Sequence, residues 1–469
     1  MRYGLFALGL ALLFGVATSV TASEQETVTM RGQTFKVWPV EDLIERGFGE
    51  ITPIPKEDNA AWVYIDAINT YEELPRKLED AFDHALDVGW PEGQEELAEY
   101  IQLPANQRAM ELVVKASKVR RFRMPYFGDP NDSVLSILLP NLSYLRSLSK
   151  MVVVDGRRLE AEGKYDEAIA RYLAVLRMGK HINADFTLIG NLVGFAIWTI
   201  GEKAIADMAL RKPLSGKQLG ELQNELKRLG EQLPTIDRGL HGEQVFGPAI
   251  VDELCSRPLT LLVNLRTMNS TDEFFSYASG PLNANPADGW GELEQRIGRL
   301  IYPDRAIKRH MLGYYEKVLE KAERGPRDAE AMAFDEERYI REEIPKWDIL
   351  PRILLPSLSR AISLGERVKA QAALTEAVVA LRLYMLKHEG QPPPSLSDVS
   401  ETLPEGRLVD PFSGELLAYR VTDDGWIVYS FGPDLVDDGG QQGDRWDKLD
   451  RSYKYPPEPV KPFKQEGGE

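Results

Sequence analysis

The sequence predicts an α+β protein, mostly α: a large helical domain followed by a long helix and a small antiparallel sheet. Three observations carry that prediction. Between Asn59 and about Pro351, long stretches lack glycine and proline and repeat apolar residues at three- and four-residue spacing. From about Ser357 to Glu389 a single uninterrupted helical pattern runs to Gly390. After it, "ELLAYRV" and "WIVYSF" alternate on either side of Asp424-Gly425, a strong hairpin signal.

The first residues read "MRYGLFALGLALLFGVATSVTASEQ". Arg2 supplies a positive start, Gly4 to Ala17 an apolar run, and Val20 and Ala22 the small residues before a cut. This predicts a signal peptide over 1–22, cleaved after Ala22, and an exported protein that is periplasmic, secreted or associated with the cell envelope. The alternative is an uncleaved membrane anchor, for which the apolar run is barely long enough. With cleavage, no membrane span is expected. No cysteine stands at the cut, which argues against a lipid anchor.

Residues 23–58 form a mixed segment, in which "TVTMRGQTFKVW" alternates around Gly32 as a small hairpin would. The helical domain spans 59–351. In it, "EELAEYIQLPANQRAMELVVKASKV" breaks at Pro104. In "LSGKQLGELQNELKRLGEQL", Ser215 caps a helix whose apolar face is Leu219, Leu222, Leu226 and Leu229. "GRRLEAEGKYDEAIARYLAVLRMGKHI" resembles one tetratricopeptide-type helical hairpin, near 152–182. Gly156, Gly163, Ala168 and Tyr172 fall where that repeat wants small or aromatic residues, while Val152 replaces its usual tryptophan. No second copy follows at a period of about 34 residues, and a solenoid needs about three. An isolated hairpin inside a helical domain is expected. The stretch Phe186 to Leu210 is uncharged for only about fifteen residues before Glu202, which fits a buried core helix better than a span. Gly190 and Gly194 are read as allowing close packing there.

The long helix carries an apolar stripe of Leu374, Val378, Leu381 and Met385, with a polar opposite side. Ser357 is the expected cap. "QPPPSLSDVSETLP" connects it to the hairpin, where Tyr419 and Tyr429 are expected to pack across the two strands. The segment 451–469, ending "YPPEPVKPFKQEGGE", reads as a disordered tail.

The ordered set Tyr384, Gly390, Pro393, Leu396, Asp410, Pro411, Gly414, Tyr419, Tyr429, Ser430, Gly432, Asp434, Gly439 and Gly440 resembles the C-terminal globular module of the type II secretion system major pseudopilin, the pseudopilin G family. The likeness covers about 357–447, so the long helix and sheet are expected to form a pilin-like module over 357–450. A pseudopilin begins with its own apolar helix. Here the corresponding helix carries Arg360, Glu366, Arg367, Lys369 and Glu376, and the module ends a longer chain. It reads as a borrowed domain, used in assembly or protein–protein interaction with a partner at the cell envelope.

The resemblance also implies calcium at the loop after the last family strand. Calcium takes six to eight hard oxygen ligands. Asp434, Asp437, Asp438 and Asp444 are the candidate metal ligands, Asp434 and Asp444 aligning best with the family's loop carboxylates. Between Asp398 and Asp450 there are thirteen acids and four bases, net -9. Clustered carboxylates repel one another, and a bound divalent cation relieves this. The loop is not an EF-hand, since Val436 and Arg445 occupy ligand positions.

The whole chain has 469 residues, a net charge of -17 and a pI of about 5.0, which argues against nucleic-acid binding. Its one cysteine, Cys255, excludes an intrachain disulfide and a cysteine zinc site. No zinc-protease, nucleophile-elbow or phosphate-loop motif occurs, and the five histidines (His84, His181, His241, His310 and His388) are scattered. The reading is therefore a non-enzymatic exported protein. The alternatives are a periplasmic or secreted hydrolase with two facing carboxylates in a deep cleft of the helical domain, and a calcium-dependent structural or binding module.

Overall fold

The computed structural model describes residues 26–45, 53–130, 134, 137–255, 304–400, 402–442, 449–460 and 462–463. The expected signal peptide, 1–22, lies outside the described residues.

The chain enters through the predicted hairpin, β1 (Thr27–Met30) paired antiparallel with β2 (Gln33–Lys36). Arg31 and Gly32 both take positive φ at the turn, as a two-residue hairpin loop requires. Val28, Met30 and Phe35 point inward. After a short helix α1 (Val40–Glu45) comes α2 (Ala60–Thr70), capped by Asn59, whose side chain accepts from the Ala61 amide at 3.1 Å.

The helical body follows as α3 (Glu79–Asp87), α4 (Glu95–Ile101) and α5 (Pro104–Ser117). Pro104 opens α5 at its first turn, where its missing N–H costs nothing. The two long helices α6 (Asn141–Ala161) and α7 (Tyr165–Asn183) form the expected hairpin, turned at Gly163 with φ +75°. Ala168 and Tyr172 are buried on it. A Cβ on Gly156 would stand 2.3 Å from the Tyr172 ring, so the glycine lets the two helices close.

Helix α8 (Leu188–Arg211) packs along α7. It is the one helix among the described residues long and apolar enough to cross a membrane, and 56% of its apolar window is buried in protein. Gly194 meets the Asn183 backbone, where a Cβ would stand 2.5 Å from the amide nitrogen. Helix α9 (Gly216–Gly230) has the predicted cap: Ser215 accepts from the Gln218 amide, and the Gln218 side chain returns to the Ser215 amide at 2.9 Å. Leu219, Leu222, Leu226 and Leu229 are all buried.

The next elements are α10 (Asp237–Cys255), α11 (Asp304–Arg324), α12 (Ala329–Met332), α13 (Glu336–Glu342) and α14 (Ile349–Leu354). The long helix is α15 (Ser359–Lys387). Ser357 is not its cap. Instead, the buried carboxylate of Glu336 accepts from the Leu358 amide and from the hydroxyls of Ser357 and Ser359, all at 2.8–2.9 Å. A carboxylate brought from another helix does this work, and it complements the helix dipole as well.

The expected stripe of α15 is buried, but its opposite side is not polar surface: every residue from Ala370 to Leu381 is buried. Helices α8 and α9 cover one side, and the C-terminal sheet lies against the same helix. The polar residues trapped between them are bonded. Gln371 donates to the Tyr453 hydroxyl at 2.9 Å, and Thr375 donates to the Gln371 carbonyl at 3.0 Å. Buried apolar residues from Val28 to Tyr453 form one contiguous core.

A short helix α16 (Ser397–Ser400) leads to a sheet of three strands, order β3 (Ala418–Thr422), β4 (Gly425–Ser430), β5 (Arg451–Tyr455). The third strand corrects the expectation of a disordered tail from residue 451. Polar composition hid it, because β5 is a sheet edge: Ser452 and Tyr453, on opposite faces, are both buried while Lys454 is exposed. Beyond it, Arg211 donates to the Glu458 carbonyl at 2.7 Å and Phe463 packs edge-on to His84. Tyr419 and Tyr429 do not pack across the hairpin either. The register pairs Tyr419 with Val428 and Ala418 with Tyr429, so the two rings lie on opposite faces. Tyr419 donates to the Pro393 carbonyl at 2.9 Å.

Candidate cation site in the acidic loop

The sheet is anchored before the acidic loop begins. Asp410, in the Asp-Pro turn, is 1% exposed. Its side chain accepts from the Phe412 amide, the Ser430 hydroxyl and the Phe431 amide at 3.0–3.2 Å. Its backbone closes the turn onto Glu415 and Gly414 at 2.8 Å. Burial raises its pKa, and these three donors oppose the rise. Asp410 therefore ties the turn to the end of β4.

The loop from Phe431 to Gln442 is shaped by Gly432, Leu435, Gly439 and Gly440, all at positive φ. Gly440 is also crowded, since a Cβ there would stand 2.3 Å from the tip of the Ile427 side chain. The Gly440 carbonyl accepts from the Ser452 hydroxyl at 2.7 Å, and Gln442 also reaches that hydroxyl, at 2.8 Å. The C-terminal end of the described loop is thus fixed to β5.

The structure separates the four predicted ligands. Asp434 is exposed and accepts from its own Val436 amide at 3.3 Å, a local turn. Asp437 accepts from the Gly439 amide at 2.8 Å and interacts with the Tyr429 hydroxyl. Asp438 is half-buried, and its Oδ2 has no hydrogen-bond partner. Asp444 lies outside the described residues.

The residue that sequence reasoning missed is Asp450, which immediately precedes β5 and is 2% exposed. Its Oδ2 accepts from the Gly440 amide at 2.7 Å, and its Oδ1 is buried without a partner. Burial raises the Asp450 pKa, and the charges of Asp438 and Asp437 raise it further, against the Gly440 and Asp438 amides. Three carboxylates thus share one neighbourhood, and two of their oxygens are buried and unsatisfied. The signal for Asp450 was present, as an acid flanking an inward-facing strand, but the strand itself was not expected.

These are hard oxygen donors, and with nearby carbonyls they suit calcium better than a thiol- or imidazole-seeking metal. Among the described residues no group of three or more acidic, histidine or cysteine side chains is already drawn together as a metal centre. Asp437, Asp438 and Asp450 would have to close around an ion.

The histidines are engaged elsewhere. His181 stacks on Phe122 and lies 3.1 Å from the Tyr64 hydroxyl. His310 pairs with Asp348 at 2.6 Å, and His388 stacks on Tyr384. Among the described residues, one carboxylate-bordered hollow in the helical domain, of about 450 Å³, has Glu73, Glu79 and Asp83 at its rim. Glu73 there is held by Arg31 at 3.1 Å.

No family model, no curated protein and no solved structure matches this chain.

Proposed function

We propose that this protein is an exported binding or assembly protein of the cell envelope, whose C-terminal helix-and-sheet lobe carries a calcium ion in the acidic loop. The observation that carries the reading is the pair of buried, unsatisfied carboxylate oxygens, Asp438 Oδ2 and Asp450 Oδ1, beside Asp437. Leaving such atoms unsatisfied costs about 1–3 kcal/mol each, more when they are charged. A divalent cation removes that cost and the mutual repulsion together.

The export proposal rests on the apolar N-terminal segment, and the assembly proposal on the resemblance to pseudopilin G. The setting of α15 refines the latter. Its middle is enclosed by α8, α9 and the sheet. A helix already covered in this way supports a lobe built into a larger body rather than a subunit that packs its helix into a filament.

The test is thermal unfolding of the mature full-length chain with and without millimolar calcium, magnesium serving as the control. Calcium raises the melting temperature, and Asp438→Asn combined with Asp450→Asn removes the shift. An unchanged melting temperature at millimolar calcium would reject the calcium reading.

A further inference from the structure

A second site lies in the helical domain, in the hollow of about 450 Å³ between α3 and α6. That volume is the size of a small-molecule pocket. Two helix faces form its walls. On α3, Glu79, Phe82 and Asp83 line it, at i, i+3 and i+4. On α6, Tyr144, Ser147, Lys150 and Met151 line it over two turns. Residues at this spacing share one side of a helix, so each set turns its side chains to the hollow.

The floor is set before any ligand arrives. Asn106, fully buried, accepts from the Glu72 amide at 2.8 Å and donates to the Tyr100 carbonyl at 2.7 Å. The Tyr100 hydroxyl donates to the Glu72 carbonyl at 2.9 Å, and Arg31 donates to the Tyr71 carbonyl at 2.7 Å. A floor held by these bonds loses little freedom on binding. One buried polar group in it is left over. Tyr71 lines the hollow and is 6% exposed, and its hydroxyl has no hydrogen-bond partner among the described residues. Burial raises its pKa against the Arg31 charge, and Glu73 and Tyr144, both at the hollow, raise it further.

The charges divide by wall. Glu79 and Asp83 stand one turn apart on α3, and Lys150 stands on α6. Glu73 is already held by Arg31, at 3.1 Å. Glu79, Asp83 and Lys150 make no ion pair among the described residues, with one another or with a third group. Unpaired charges of both signs therefore line one hollow, acids on one wall and an amine on the other. A molecule carrying both charges satisfies both walls at once. Phe82 and Tyr100 are buried in the lining, and neither has another described ring or cation on its face, so they can take an apolar body.

We propose that this hollow binds a small zwitterion with an apolar body, an α-amino acid with a large side chain. Its ammonium lies on Glu79 and Asp83, its carboxylate on Lys150 and its side chain against Phe82 and Tyr100, with the Tyr71 hydroxyl as a further hydrogen-bonding group. The proposal is independent of the calcium reading, since the two sites share no residue.

Calorimetric titration of the full chain with three probes of one shape tests it: phenylalanine, 2-phenylethylamine, which lacks the carboxylate, and 3-phenylpropionate, which lacks the ammonium. Phenylalanine binds tightest, and each single-charge probe binds about tenfold more weakly, as loss of a charge-assisted contact demands. Glu79→Gln combined with Asp83→Asn brings phenylalanine down to the level of 3-phenylpropionate. Lys150→Met brings it down to the level of 2-phenylethylamine. No binding of phenylalanine at millimolar concentration, or a single-charge probe that binds the unaltered protein as tightly, overturns the proposal. So does a folded variant of either kind that keeps the full preference. Should a variant fail to fold, the comparison of probes on the unaltered chain still decides.

Discussion

Arg407 engages the Glu376 carboxylate through two nitrogens, Nε standing 2.9 Å from one oxygen, and donates to the Leu226 carbonyl at 3.2 Å. One side chain thereby joins the loop before the sheet, the middle of α15 and the end of α9. Gly230 leaves room for it, since a Cβ there would overlap the guanidinium. The two side chains are 13% and 5% exposed, so the pair is screened little by water. Arg407→Ala leaves a buried carboxylate unpaired and lowers stability by about 3–5 kcal/mol. The double variant Arg407→Ala with Glu376→Gln loses less than the sum of the two single changes. Urea unfolding of the four proteins measures both quantities.

Glu202 gives the fold a pH dependence. It is 2% exposed on α8, near Thr375 and Trp198, with one carboxylate oxygen lacking a hydrogen-bond partner. Burial pushes its pKa up to about 8, against the pull of Thr375 and the Arg407 charge. A carboxyl raised on folding binds its proton more tightly in the native state. Its stabilising contribution is complete below the unfolded value near pH 4.5 and is lost as pH rises through about 8. The size of that loss is on the order of 4 kcal/mol. Glu202→Gln keeps the neutral form, so its stability falls less between pH 5 and 8.5 than that of the parent. Equilibrium unfolding at four or five pH values over that range reads the difference.

Gly194 tests the packing of α8 on the end of α7. An added methyl meets the Asn183 backbone, with the nearest atoms 2.5 and 2.7 Å away, and backbone cannot turn aside as a side-chain tip can. Gly194→Ala therefore destabilises by about 1–3 kcal/mol, although alanine is the better helix former. Gly220, on the open side of α9, has nothing within 4 Å. Gly220→Ala is expected to stabilise by up to about 1 kcal/mol. Melting temperatures that move in opposite directions check the pair.

Much of the fold was legible because local rules decide it. The Ser215 cap, Pro104, the turn at Arg31-Gly32 and the Asp424-Gly425 hairpin each act within four residues, and each is where the pattern placed it. What the sequence could not convey came from residues far apart in the chain. Glu336 replaces Ser357 at the start of α15 from more than twenty positions away. Enclosure of α15 by α8, α9 and the sheet turned its polar side into core. Strand β5 reads as polar tail because one edge of it faces water, and with it Asp450 was missed. The candidate site was legible as an acidic loop, while the separation of Asp434 from Asp437, Asp438 and Asp450 needed the backbone path.

Terbium luminescence tests the cation site most directly, because terbium takes the same hard oxygen ligands as calcium and its emission is excited by a nearby aromatic ring, here Tyr429 beside Asp437. Sensitised emission is expected to saturate with terbium, to be displaced by calcium, and to be lost in a folded protein carrying Asp438→Asn and Asp450→Asn. Absence of saturable emission, or emission that survives in that double variant, would contradict it.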